Sequence, residues 1–199
     1  MKKSTILNVP NILSIVRVLL VPFFVAALIF MRGMNIWGYV VPAIIYGLTA
    51  LTDMLDGKIA RKYNLVTDFG KFIDPLADKF MVLSSMVAIL AWMFLRGDYD
   101  IAKIFLWVVL IVLFRELGVT SLRLVVAGKR TKVNLAANLM GKLKTVSQMV
   151  GTVIIIIEPM IFDTSRIASY ITMAVIAFTT IYSGINYFLG YLPHIVSED

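Results

Sequence analysis

Between Asp53 and Asp78 the chain holds a set of residue types whose spacing could do chemistry: Asp53, Asp56, Asp74 and Asp78, with Gly57, Gly70 and Arg61 among them. If the residues before Gly57 are helical, Asp53 and Asp56 are three apart and share a face, as do Asp74 and Asp78 at four apart. Crowded carboxylates repel one another unless a cation sits among them, and a ligand set made only of oxygen suits Mg²⁺ or Mn²⁺. The chain has no cysteine, and its one histidine, His194, lies near the far end, which argues against zinc or an iron-sulfur cluster. Gly57 and Gly70 allow a turn or a close approach to a ligand. Arg61 supplies the planar fork that pairs with phosphate. Acid, glycine and arginine together indicate phosphate held through a divalent metal, and such residues beside a bilayer signal function by default.

The elements that must position these residues are membrane helices. With 199 residues, 60% hydrophobic and 16% charged, and a mean hydropathy of +0.89, the chain is far more apolar than a soluble domain of that length. The formal net charge of +7 is accounted for by cytoplasmic loops and anionic lipid, with no nucleic acid partner. Six spans are expected, at about 12–31, 36–54, 73–95, 103–127, 143–162 and 167–190. The fifth is the shortest in apolar length, because only Thr145 to Ile157 is free of charge, so it must borrow from its basic start and from a turn at Glu158 and Pro159. A further interfacial helix near residues 4–10 is compatible with the pattern. Met1 to Lys3 is basic, but Arg17 interrupts the following apolar run and no small-residue cleavage site follows, so the first span is expected to be retained.

Basic residues set the expected orientation. Eleven fall on the side of the N-terminus, including Lys58, Arg61, Lys129, Arg130 and Lys132, against four, Arg32, Arg96, Lys103 and Arg166, on the other. Both termini are therefore expected in the cytoplasm. That topology brings Asn11, Ser14 and Arg17 of the first span, Arg115, Glu116 and Arg123 of the fourth and Lys142 and Lys144 of the fifth to the inner half, alongside the acidic set. Arg115 lies about 18 Å along its helix from Ala127, deep enough to require a wet cavity or a carboxylate. Arg115 and Glu116 are sequence neighbours and point to different faces of a helix, whereas Arg115 and Arg123 lie within one broad face. Arg115, Arg123, Lys142 and Lys144 are thus candidates for binding an anion. Lys129, Arg130 and Lys132 are read as interfacial, Phe178, Tyr182, Tyr187 and Phe188 as packing or lipid-facing, and His194 as a tail residue without a role.

The spacing D-x2-D-G-x2-A-R-x8-G-x3-D-x3-D, at Asp53, Asp56, Gly57, Ala60, Arg61, Gly70, Asp74 and Asp78, resembles the motif of the CDP-alcohol phosphotransferase family of membrane enzymes. Chance agreement at eight positions is roughly one in 10^10 per starting point. Asn8 to Arg17 (NVPNILSIVR), Arg115 to Arg123 (RELGVTSLR) and Gly141 to Thr145 (GKLKT) are similar to the branch of that family that forms phosphatidylglycerol phosphate, with Ser14 where threonine is usual. The resemblance covers residues 8–145. It implies an all-α integral membrane protein forming a single domain over residues 1–199, with six transmembrane helices and a polar cavity open to the cytoplasmic side of a bacterial inner membrane. It further implies transfer of the phosphatidyl group of CDP-diacylglycerol to sn-glycerol 3-phosphate, with release of CMP. Asp53, Asp56 and Asp74 match family positions that bind two Mg²⁺ or Mn²⁺ ions, and Asp78 matches one that also contacts metal and serves as general base. Asn11, Asp53, Gly57, Ala60, Arg61 and Gly70 match positions about the CDP group. Arg115, Arg123, Lys142 and Lys144 are then assigned to the acceptor's phosphate, and a homodimer is expected. Serine, an inositol phosphate or phosphatidylglycerol remain alternative acceptors. A divalent-cation carrier is a further reading, opposed by the placement of the acidic residues at one membrane face and by the lack of an inverted repeat.

Overall fold

A computed structural model describes the backbone of residues 8–63, 67–127, 139–162 and 165–196, and the side chains of residues 8–53, 67, 69–70, 72–126, 141–162 and 165–192. Among the described residues six helices follow one another: α1 Val9–Phe30, α2 Trp37–Tyr63, α3 Asp68–Arg96, α4 Tyr99–Ala127, α5 Leu139–Ile161 and α6 Ile167–Val196. Among the described residues there is no strand. Among the described residues five helices, all but α2, are long and apolar enough to cross a membrane. The side chains of α2 are described only as far as Asp53, short of the roughly 20 residues that a crossing needs.

Most helices outrun the expected spans, because a helix continues into the interface and ends where its caps allow. Asn8 caps α1 by accepting from the Asn11 amide at 3.0 Å, which draws Val9 and Pro10 into that helix; the rest of the interfacial segment expected near residues 4–10 lies outside the described residues. Thr67 caps α3 by accepting from the Gly70 amide at 3.0 Å. Gly97, left-handed at φ 82°, closes α3. The turn expected at Glu158 and Pro159 is absent: α5 continues through Pro159 to Ile161. A proline forfeits one backbone hydrogen bond, and apolar packing on a membrane-length helix tolerates that loss. Likewise α2 passes straight through Gly57, so that glycine makes no turn.

The chain divides into two compact units, residues 1–99 with 156–165, and residues 100–155 with 166–199. In the first, α1 packs against α2 and α3. Its buried face runs Pro10, Asn11, Ser14, Arg17, Val21, Phe24, Ala27 and Leu28, a helical stripe that is polar for its first turns and apolar thereafter. Phe24 meets Tyr46 of α2 with ring centroids 5.4 Å apart. At the far end of α3, Arg96 bonds Asp98 at 3.0 Å, donates to the Tyr39 hydroxyl and covers the Trp92 ring at 4.8 Å. In the second unit, α5 and α6 run antiparallel at close range. A Cβ on Gly151 would stand 2.8 Å from Cδ1 of Ile176, and the Ser147 and Thr179 hydroxyls lie 2.9 Å apart. Large apolar side chains such as Phe23, Phe114, Leu124 and Phe178 are exposed on the helices, as expected of faces turned to lipid.

Candidate active site

In the first unit, the polar head of α1 holds the acidic motif. Arg17, 1% exposed, pairs through Nη1 with Oδ1 of Asp53 on α2 at 2.7 Å. Three residues earlier and on the same helix face, the buried Ser14 hydroxyl donates to Oδ1 of Asp74 on α3 at 2.6 Å. One turn earlier again, Nδ2 of Asn11 donates to the Thr67 hydroxyl at 3.0 Å, ahead of α3. Asn11, Ser14 and Arg17 therefore each grip a different point of the segment from Asp53 to Asp74. Charge-assisted bonds of this length are the strong class of hydrogen bond, and holding Arg17 out of solvent is tolerable only with such a partner.

Gly70 has a clear physical reason. A Cβ there would stand 2.7 Å from Oδ1 of Asn11 and 3.2 Å from Oγ1 of Thr67, so glycine is what lets the buried Asn11 side chain cross to the start of α3. Asp78, four residues after Asp74, is half-buried on α3. Asp56, Gly57, Ala60 and Arg61 lie on the backbone of α2, with side chains outside the described residues. Among the described residues no three acidic or histidine side chains gather closely enough to hold one ion.

The basic candidates lie in the second unit, and a carboxylate organises them. Glu116 of α4 is buried, accepts from Arg115 at 3.0 Å and also accepts from Lys144 of α5. Arg115 thus does pair with its sequence neighbour, against the expectation from helix faces, because a long guanidinium stem reaches sideways across the helix surface. Its other terminal nitrogen donates to the Ser183 hydroxyl of α6 at 2.9 Å. Gly184 gives this arginine room, since a Cβ there would stand 3.3 Å from its Cγ. The Tyr187 ring collects two cations, with the Arg115 guanidinium 5.4 Å and the Arg123 guanidinium 5.2 Å from its centroid, a cation–π arrangement. Tyr187 is itself buried and stacks on Tyr191 at 6.2 Å, and its hydroxyl closes over Gly141, where a Cβ would lie 3.2 Å away. Lys144 is buried, whereas Arg123 and Lys142 are exposed. Two cations, Arg115 and Lys144, share the one carboxylate, and Arg123 lies over the ring that also carries Arg115, an excess of positive charge suited to an anion. Beside them an apolar cavity of about 560 Å³ between α4 and α6 has Arg115 and Thr180 in its wall.

A family model for CDP-alcohol phosphatidyltransferase matches residues 7–182. The chain belongs to the CDP-alcohol phosphatidyltransferase family. It is 34% identical over 194 residues to the CDP-diacylglycerol–glycerol-3-phosphate 3-phosphatidyltransferase of Bacillus subtilis (strain 168), an alignment spanning 91% of this chain and 93% of that protein. It is 35% identical over 188 residues to the protein of the same name from Escherichia coli (strain K12), across 90% of this chain and 92% of that one. A probable phosphatidylglycerophosphate synthase of Mycobacterium tuberculosis (strain ATCC 25618 / H37Rv) is 33% identical over 185 residues, covering 93% of this chain and 82% of its own length.

Within this CDP-alcohol phosphatidyltransferase, the sequence pointed to the acidic motif, to Asn11, Ser14 and Arg17 beside it and to the basic residues, but missed part of what holds them. Thr67, Ser183 and Tyr187 carry no motif spacing. Tyr187 reads in sequence as one more aromatic on an apolar helix. Glu116 stands inside the RELG stretch, and the depth of Arg115 already called for a carboxylate; that signal was available.

Proposed function

We propose that this chain transfers the phosphatidyl group of CDP-diacylglycerol to the 1-hydroxyl of sn-glycerol 3-phosphate, forming phosphatidylglycerol phosphate and CMP. The observation that carries the reading is the grip of α1 on the acidic motif, Arg17 on Asp53 and Ser14 on Asp74, in a family member whose relatives are named for this reaction. Their names favour glycerol phosphate over serine, inositol phosphate or phosphatidylglycerol, and family membership sets aside the carrier reading.

Each cluster has a task. The carboxylates of Asp53, Asp56, Asp74 and Asp78 would supply an all-oxygen donor set suited to two Mg²⁺ or Mn²⁺ ions. When bound, such ions offset the charge of the diphosphate and of the departing CMP. Gly57, Ala60, Arg61 and Gly70 are assigned to the CDP group together with Asp53. Asn11 joins them, and it also sets the start of α3 through Thr67. The acceptor oxygen attacks the phosphorus that bears the diacylglycerol, the bond from that phosphorus to the CMP oxygen breaks, and Asp78 takes the hydroxyl proton as general base. Arg115, Arg123, Lys142 and Lys144 hold the acceptor's phosphate, with Glu116 aiming Arg115 and Lys144 and Tyr187 aiming Arg115 and Arg123. We assign the chain six membrane spans with both termini in the cytoplasm, as one domain in a bacterial inner membrane, with its polar cavity open to the cytoplasm, and as a homodimer.

The test is CMP release by detergent-purified protein. Turnover with sn-glycerol 3-phosphate, abolished by chelation and restored by Mg²⁺ or Mn²⁺, supports the reading. Turnover only with serine, inositol 1-phosphate or phosphatidylglycerol refutes the acceptor, and no turnover with any of them refutes the reaction.

A further inference from the structure

Two buried polar side chains in the second unit are used by nothing described so far. Gln148 on α5 is 2% exposed and Thr180 on α6 is 0% exposed. Among the described residues, neither amide atom of Gln148 nor the hydroxyl of Thr180 has a hydrogen-bond partner. Hydroxyls on these helices ordinarily bond back to their own backbone: Thr120 to Glu116 at 2.6 Å, Thr145 to Gly141 at 3.1 Å and Thr179 to Val175 at 2.8 Å. Thr180 does not take that outlet, and a glutamine amide mid-helix has none. Burying such groups without partners is costly, so each calls for a partner or a role.

Their register says what that is. Gln148 lies four residues after Lys144 on α5 and so on the same face, and Thr180 lies three residues before Ser183 on α6 and so on the same face. Because α5 and α6 are antiparallel, both steps run the same way along the unit, about 6 Å or one turn beyond the cations. Lys144 touches Glu116 and Ser183 touches Arg115, adjacent residues of α4. Thr180 also shares with Arg115 the wall of the cavity of about 560 Å³, whose remaining lining is apolar. An amide offers a donor and an acceptor, and a threonine hydroxyl does the same. That set matches an alcohol next to a phosphate, which itself both donates and accepts.

We propose that Gln148 and Thr180 form a hydroxyl-binding subsite for the acceptor's 2-hydroxyl, making the second unit a site for a polyol phosphate and not for phosphate alone. The proposal rests on the acceptor assignment above and adds the residues that select it.

The experiment compares two acceptors with the full-length protein in detergent. One is sn-glycerol 3-phosphate; the other, 3-hydroxypropyl phosphate, keeps the attacking hydroxyl and the phosphate but lacks the 2-hydroxyl. Wild type is expected to use the second about 10- to 100-fold less well in kcat/KM, the usual effect of leaving a site's buried polar groups without their ligand partner. Gln148→Met and Thr180→Val are expected to lose a similar factor on sn-glycerol 3-phosphate, chiefly in KM, and little on the analogue, with competitive inhibition by inorganic phosphate unchanged. Equal losses on both acceptors, or no loss on either, overturn the subsite. Equal use of the two acceptors by wild type overturns it too, whatever the variants do. Failure of wild type with sn-glycerol 3-phosphate alongside turnover of another acceptor is a different result, and it overturns the acceptor assignment together with the subsite.

Discussion

Glu116→Gln is the sharpest test of the basic cluster, because it removes one charge and almost no volume. The carboxylate is buried between Arg115 and Lys144 and accepts from both. Each contact corresponds to a Coulomb energy of about 4 kcal/mol at 4 Å and an effective dielectric near 20, offset in large part by the cost of taking the charges out of water. Removing one partner of a buried pair costs ~3–5 kcal/mol in practice. The amide oxygen still accepts one hydrogen bond, which puts the expected loss at the lower end, about 3 kcal/mol. For a chain of this size that is a fall in Tm of about 6–12 °C. The direction with ligand is the stronger test: inorganic phosphate or sn-glycerol 3-phosphate can replace the missing counter-charge, so either should raise the Tm of the variant more than that of wild type. The assay is thermal unfolding of purified protein in detergent, with and without phosphate. A variant that melts with wild type, or an identical phosphate shift in both proteins, would refute Glu116 as the shared counter-ion of an anion site.

Other expected outcomes follow from single contacts. Asp78→Asn should lower kcat for CMP release by about 10²–10⁴-fold, and near-normal turnover would remove Asp78 as general base. Gly70→Ala should cost about 1–2 kcal/mol, since the new methyl displaces the buried Asn11 amide from Thr67; a neutral result in chemical denaturation would mean that the crossing at Gly70 is looser than described. Tyr187→Phe should behave as wild type, whereas Tyr187→Leu should raise KM for sn-glycerol 3-phosphate about 10-fold, because the ring face holds the two guanidinium groups. A loss in the phenylalanine variant would shift the role to the hydroxyl. Arg17→Lys should keep part of the activity that Arg17→Met loses, because a lysine carries the charge without the planar fork; equal activity in the two would mean that the charge opposite Asp53 is immaterial.

Some of this could be read directly from the chain. Long apolar stretches give membrane-length helices because the backbone must satisfy its own hydrogen bonds in lipid, and five of the helices meet that description. The acidic motif was legible for a similar reason, since the spacing of Asp74 and Asp78 on one helix survives any packing. Helix ends were less legible: hydropathy marks where lipid ends, while Asn8, Thr67 and Gly97 decide where α1 begins and where α3 begins and ends.

By itself, then, the sequence determined the class of protein, the acidic motif and the residue types available for binding an anion, because each is set by local composition or by spacing within one helix. Tertiary structure decided which group holds which. Arg17 on Asp53 and Ser14 on Asp74 join residues tens of positions apart, and their pairing depends on how α1 is rotated against α2 and α3. Glu116 became the common partner of Arg115 and Lys144, and Tyr187 the platform for two arginines, only once α4, α5 and α6 were in register. Rotation and register follow from how residues such as Phe24, Gly151 and Gly184 fit their neighbours, and hydropathy does not encode that fit.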